Sequence, residues 1–163
     1  MQMTLVLAID PGTATIGFAL VQDSNHGDHL ALDYGVITTP KGDQPANRLM
    51  HIYQEINKLI VLHKPNSAAI EKLYFSQNTT TAIAVGQARG VILLAMAQAG
   101  LEIGEYSPNE IKQAVTGYGF AEKRQVQEMV KVLLSLDKIP KPDDAADALA
   151  IAITHLNTKR YTE

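Results

Sequence analysis

The chain has 163 residues, a formal net charge of −3 from 14 Lys+Arg against 17 Asp+Glu, and no cysteine, which excludes a disulfide framework, a thiolate zinc site and a thiol nucleophile. Its short apolar start is interrupted by Asp10 and has no basic leader, no stretch reads as long enough to span a bilayer, and a cytoplasmic location is the default. The acidic balance argues against nucleic acid as a partner, unless the acids gather around bound cations and leave basic residues elsewhere to face phosphate.

At this size one domain with a sizeable core is expected, spanning 1–163 with 157–163 as a flexible tail. Leu5–Ile9 is too short for a helix and rich in strand formers, so it reads as a buried strand ending on Asp10. Pro11-Gly12 breaks the run, and Ile16–Val21 leaves the turn as the second strand of a hairpin. A third strand follows over 29–38, completing an antiparallel meander. Apolar residues at Leu49, Ile52, Ile56, Leu59 and Ile60 recur at helical steps and predict a helix over 46–63. Ser67–Glu71 is a short strand that also ends on a carboxylate, followed by a loop with the adjacent aromatics Tyr74 and Phe75. An alanine-rich helix is expected over 79–99, with Gly86 and Gly90 on one face suited to close helix approach. A fifth strand over 101–106 precedes a capping box, Ser107-Pro108-Asn109-Glu110, that opens a helix to Thr116. Helices over 121–136 and from Asp143 or Asp144 to about Leu156 complete the chain.

Two strands therefore end in acids, Asp10 and Glu71. The last helix adds Asp144 and Asp147, three residues apart and so on one face. Around Asp147 that helix is otherwise apolar, so its carboxylate should be buried and in need of a partner. Each acid also has an ordinary reading: Asp10 as a turn cap, Asp143 and Asp144 as helix-start acids favoured by capping and the dipole. Taken together, four carboxylates in a chain without thiols suit Mg²⁺ or Mn²⁺, and two such ions can run in-line phosphoryl chemistry. The element order, βββαβαβααα, matches the α/β architecture of the ribonuclease-H-like proteins, a mixed five-stranded sheet flanked by helices. The five histidines have no metal-ligand spacing. His155 is read as a dipole-stabilised residue near a helix C-terminus, and the others as surface residues.

With these positions in hand, the chain resembles the RuvC family of bacterial Holliday-junction resolvases over nearly its whole length. The resemblance rests on the blocks AIDPGTATIGFAL, AIEKLYFSQN, GQARGVILLA, YSPNEIKQAVTGYGFAEKRQVQEMV and DDAADALAIAITHL, in that order. It implies a Mg²⁺-dependent endodeoxyribonuclease, with Mn²⁺ as a substitute, that makes paired symmetric nicks in four-way junction DNA during recombination and repair and leaves 5′-phosphate and 3′-hydroxyl ends. The family's metal-binding acids fall on Asp10, Glu71, Asp144 and Asp147, with Asp143 left as a helix cap. Lys112 and Lys123 match lysines near the scissile phosphate. Tyr74 holds the position of an aromatic set against bases at the junction centre, with Phe75 as the alternative stacker. Lys72, Arg89 and Arg124 are expected to add DNA contacts. A C2 homodimer would match the near two-fold symmetry of a junction, and the branch-migration proteins RuvA and RuvB are partners by the same resemblance; no membrane partner is expected. Two other functions stay open on the residues alone: a non-catalytic junction-binding module, and a related ribonuclease-H-like nuclease acting on RNA.

Overall fold

Five strands form one mixed sheet in a computed structural model that describes residues 3–24, 26–72 and 79–162. The elements are β1 (Leu5–Asp10), β2 (Thr15–Asp23), β3 (His29–Thr38), α1 (Pro45–His63), β4 (Ser67–Glu71), α2 (Thr79–Gln98), β5 (Glu102–Tyr106), α3 (Pro108–Thr116), α4 (Lys123–Leu133) and α5 (Asp143–Thr162). The strand order is β3-β2-β1-β4-β5. The first three strands form the antiparallel meander, while β1–β4 and β4–β5 pair in parallel. This is the expected α/β architecture in the expected order.

The central strand explains its own sequence. Val6, Leu7, Ala8 and Ile9 are all fully buried, because β1 is covered on both faces, and such a strand reads as a continuous apolar run. On one face Val6 and Ala8 meet α5 through Leu149, Ala152 and Ile153, with α3 and α4 outside it. On the other, Leu7 and Ile9 meet Ile52 and Ile56 of α1 and Ala88, Ile92 and Met96 of α2. Each fully buried Leu or Ile contributes about 1.5–3 kcal/mol, so the sheet and α5 form a stiff platform under the strand ends.

Several boundaries differ from expectation for local reasons. α5 does not stop near Leu156 but continues to Thr162, so most of the segment expected as a flexible tail is helix. Its polar residues are anchored: Asn157 bonds the His29 ring at 3.0 Å, and Arg160 pairs with Asp23 and donates to the Gly27 carbonyl at 2.9 Å. α4 is shorter than expected at both ends: Glu122 and Gln125 cap its start reciprocally, and the chain leaves the helix after Leu133, with Ser135 at a φ of 52°. At α3 only half of the expected capping box forms. Ser107 Oγ accepts from the Glu110 amide at 3.1 Å, while the Glu110 carboxylate faces Lys72.

α2 corrects a second expectation. By length and mean hydropathy, 1.4 over Thr80–Gln98, it is apolar enough to cross a membrane. Here one face, through Ala88, Ile92, Ala95 and Met96, lies on the core, while Ile83 (61% exposed) and Leu94 (52%) stay outside. Gly90 is also exposed and has no neighbour within 4 Å of where a Cβ would stand, so it does not serve close helix packing within the chain.

The histidines depart most. His155 sits within α5, buried, between Ser67 Oγ (2.6 Å from Nε2) and the Tyr106 hydroxyl (2.7 Å from Nδ1). Burial first, then the charge of Lys159, pushes its pKa down to about 4, so it is neutral and gains nothing from a helix dipole. It ties α5 to β4 and β5 at once. The His29 side chain is also largely buried, beside Asp23.

Candidate active site

β1 and β4 run side by side in parallel, Ile9 opposite Ile70, so their terminal carboxylates, Asp10 and Glu71, emerge at the same sheet edge. α5 brings the other two acids across that edge. Its approach depends on Gly17, which pairs with Asp10 across β1–β2. A Cβ on Gly17 would lie 1.9 Å from the Asp144 carbonyl oxygen. Only a residue without a side chain lets the first turn of α5 pack this close, and a glycine inside a strand is the sign of such an approach.

The result is a trio in which one carboxylate oxygen each from Asp10, Asp144 and Asp147 lies within 4.8 Å of the others. All three residues are half-buried. Glu71 is outside that trio but lines the adjoining cleft with Lys112, Lys123 and Asp147. Burial, the charges of Asp147, Glu71 and Asp144, and a hydrogen bond with Asp144 push the Asp10 pKa up to about 8. Burial and Asp147 also raise Glu71, with Lys112 opposing. Asp147 is raised by burial, against the pull of Lys123. Asp143 points elsewhere: exposed, it pairs with Lys141 and Lys123 and accepts from Gln127, and these contacts hold its carboxyl below the usual range. The two adjacent aspartates are thus in opposite environments, and Asp144 is the one facing Asp10.

The expected cations divide. Lys123 spans Asp143 at 3.5 Å and Asp147 at 3.6 Å; burial lowers its pKa but the two carboxylates outweigh it, leaving the ammonium above its ordinary value. Lys112 is half-buried beside Glu71. Lys72 is exposed and 3.7 Å from Glu110, and Arg124 is exposed on α4. Arg89 turns inward. Its guanidinium pairs with Glu105 and its Nε donates to the Glu71 backbone carbonyl at 3.3 Å, so it ties α2 to the ends of β4 and β5. Tyr74 and Phe75 lie outside the described residues. Gly17 positions the site without having been singled out in the sequence, where a glycine inside a strand was the signal available; His155 ties α5 to β4 and β5 rather than serving the helix dipole expected of it.

The model of the family described as Crossover junction endodeoxyribonuclease RuvC matches residues 6–155. The chain belongs to the RuvC family. RuvC from Heliobacterium modesticaldum is 54% identical over 150 residues, covering 91% of each chain. Two RuvC structures from Thermus thermophilus, the second in complex with a Holliday junction substrate, superpose with a TM-score of 0.89 each. They are 32% and 30% identical to this chain and cover 98% and 97% of it, matching 97% and 96% of their own lengths. RuvC nucleases use divalent metal, and the donors here fit one. The set is all oxygen, as hard cations prefer, and its crowded carboxylates resist ionising together until a cation offsets the repulsion.

Proposed function

We propose that this chain resolves four-way DNA junctions in recombination and repair by paired symmetric nicks, hydrolysing a phosphodiester to 5′-phosphate and 3′-hydroxyl. The observation that carries the proposal is the meeting of Asp10, Asp144 and Asp147 beside Glu71 in a chain of the RuvC family. In this reading Asp10, Glu71, Asp144 and Asp147 would hold two divalent ions, physiologically Mg²⁺, with Mn²⁺ able to substitute. When bound, such ions polarise the phosphodiester and activate water for in-line hydrolysis. Burial and the neighbouring carboxylates push the Asp10 pKa up to about 8 in the absence of a cation, and a bound cation would favour its ionised form.

Lys112 and Lys123 bind phosphate on the α3–α4 side of the cleft and stabilise the charge that develops there. Lys123 then divides its ammonium between Asp147 and the substrate. Lys72 and Arg124 add phosphate contacts, Tyr74 or Phe75 stacks on bases at the junction centre, and Arg89 acts from within by holding the end of β4. Two cuts require two clusters, so the working unit is a C2 homodimer. The outward face of α2, with Ile83, Gln87, Gly90 and Leu94 at helical spacing and all exposed, supports that arrangement. Docking of RuvA and RuvB and a cytoplasmic location belong to the same proposal.

The test is cleavage of a synthetic four-way junction in Mg²⁺ by the wild type and by Asp10→Asn. The wild type should make paired nicks, and the variant should bind the junction and leave it whole. Equal cutting by both would remove Asp10 from the reaction.

A further inference from the structure

β1 and β3 are each antiparallel to β2, so β3 ends, and α1 begins, at the same sheet edge as Asp10. Arg48 is in the first turn of α1. Its Nε donates to Thr39 Oγ1 at 3.1 Å, and Thr39 Oγ1 donates to the Thr13 carbonyl at 2.8 Å. The Thr39 amide also donates to the Ala14 carbonyl at 3.0 Å. Arg48 is thereby fixed against the loop that follows Asp10. It lines a cleft with Thr13, Pro45, Ala84 and Gln87, between that loop and the first half of α2.

Arg48 is half-buried as a residue, yet among the described residues no carboxylate lies within ion-pair distance of its guanidinium. Arg89 and Arg160 each have such a partner. No acid occupies the first turn of α1 to offset the charge. A partly desolvated cation without a counter-charge is costly unless a ligand supplies one. With Nε committed to Thr39, the terminal nitrogens remain as a fork suited to two phosphate oxygens.

We propose that Arg48 binds a backbone phosphate of the DNA strand that crosses the acid cluster, on the α1–α2 side of the sheet and opposite Lys112 and Lys123. This rests on the nuclease reading above. It gives the strand a cationic contact on each side of the carboxylates, in a chain whose net charge is negative. Lys123 and Lys72 are already partly engaged with carboxylates, whereas Arg48, held only through Nε to Thr39, has no carboxylate partner among the described residues.

The experiment measures junction affinity against salt, from about 50 to about 200 mM, in an Asp10→Asn background that binds without cutting. Arg48→Gln should weaken binding several-fold and flatten the log K against log [salt] slope by about 1, the signature of one lost phosphate contact. Arg48→Lys keeps the charge and should keep the slope. Thr39→Val removes the anchor but not the charge, and should cost affinity with the slope unchanged. Lys123→Gln runs in parallel. An unaltered slope in Arg48→Gln beside a flattened one in Lys123→Gln would overturn the Arg48 assignment and leave the nuclease reading standing. A slope flattened equally by Arg48→Lys and Arg48→Gln would also overturn it, because a brace and not a charge would then be at work. Failure of the parent protein to bind the junction at all would instead sink the nuclease reading.

Discussion

Replacing Asp10 by asparagine should stabilise the metal-free protein while abolishing its activity. Asp10 carries a folded-state pKa of about 8 against an ordinary value of 3.8. An acid raised on folding loses stability for the native state as pH rises from its unfolded to its folded value. Metal-free wild type should therefore weaken from about pH 4 towards pH 8 and level off above. At about 1.4 kcal/mol per unit, the upper limit of this effect is about 5.5 kcal/mol at pH 8.5 and about 3 kcal/mol at pH 6. Water entry and relaxation of neighbouring carboxylates reduce both, so a gain of about 1–3 kcal/mol at pH 8.5, shrinking towards pH 5, is expected for Asp10→Asn. Urea unfolding in chelator across this range measures it directly. Adding Mg²⁺ should raise the wild-type midpoint by mass action and raise the variant's much less. A variant no more stable than wild type at pH 8.5, or one that gains equally from Mg²⁺, would refute the picture of crowded carboxylates awaiting cations.

The neighbouring aspartates should separate cleanly: Asp144→Asn should lower junction cleavage by at least about 10²-fold, while Asp143→Asn should stay within a few-fold. Equal losses in single-turnover assays would contradict the division seen at the start of α5. Gly17→Ala sets a Cβ against the Asp144 carbonyl and should cost about 2–4 kcal/mol by overpacking, with divalent-ion affinity falling as α5 is displaced; a wild-type melting curve would refute it. His155→Phe leaves the Ser67 and Tyr106 hydroxyls without their ring partner and should cost about 2–4 kcal/mol in urea unfolding. A change below about 0.5 kcal/mol would show that the brace carries no stability.

Much of this architecture was legible because its periodicities are strong. The continuous apolar run before Asp10 required a strand buried on both faces, and the three- and four-residue steps in α1 required a helix. Both acids at strand ends could be seen, but not their meeting, which follows from the parallel pairing of β1 with β4 and from one missing Cβ at Gly17. The polar composition after Leu156 resembled a tail because nothing local reveals that Asn157 and Arg160 reach the β2–β3 hairpin. His155 was misread for a related reason. Its partners, Ser67 and Tyr106, are 88 and 49 residues away, and only the fold brings them to the ring. Arg89 is expected from the sequence to contact DNA, and nothing local reveals that α2 aims its guanidinium at Glu105 and the end of β4; the isolation of Arg48 from carboxylates is likewise a property of space, not of sequence.

The most direct measurement is anomalous diffraction from crystals of this chain grown with Mn²⁺. The account predicts two peaks per subunit, both within coordination distance of Asp10 oxygens and shared out among Glu71, Asp144 and Asp147. Peaks on Asp143, or a single ion that ignores Glu71, would contradict it.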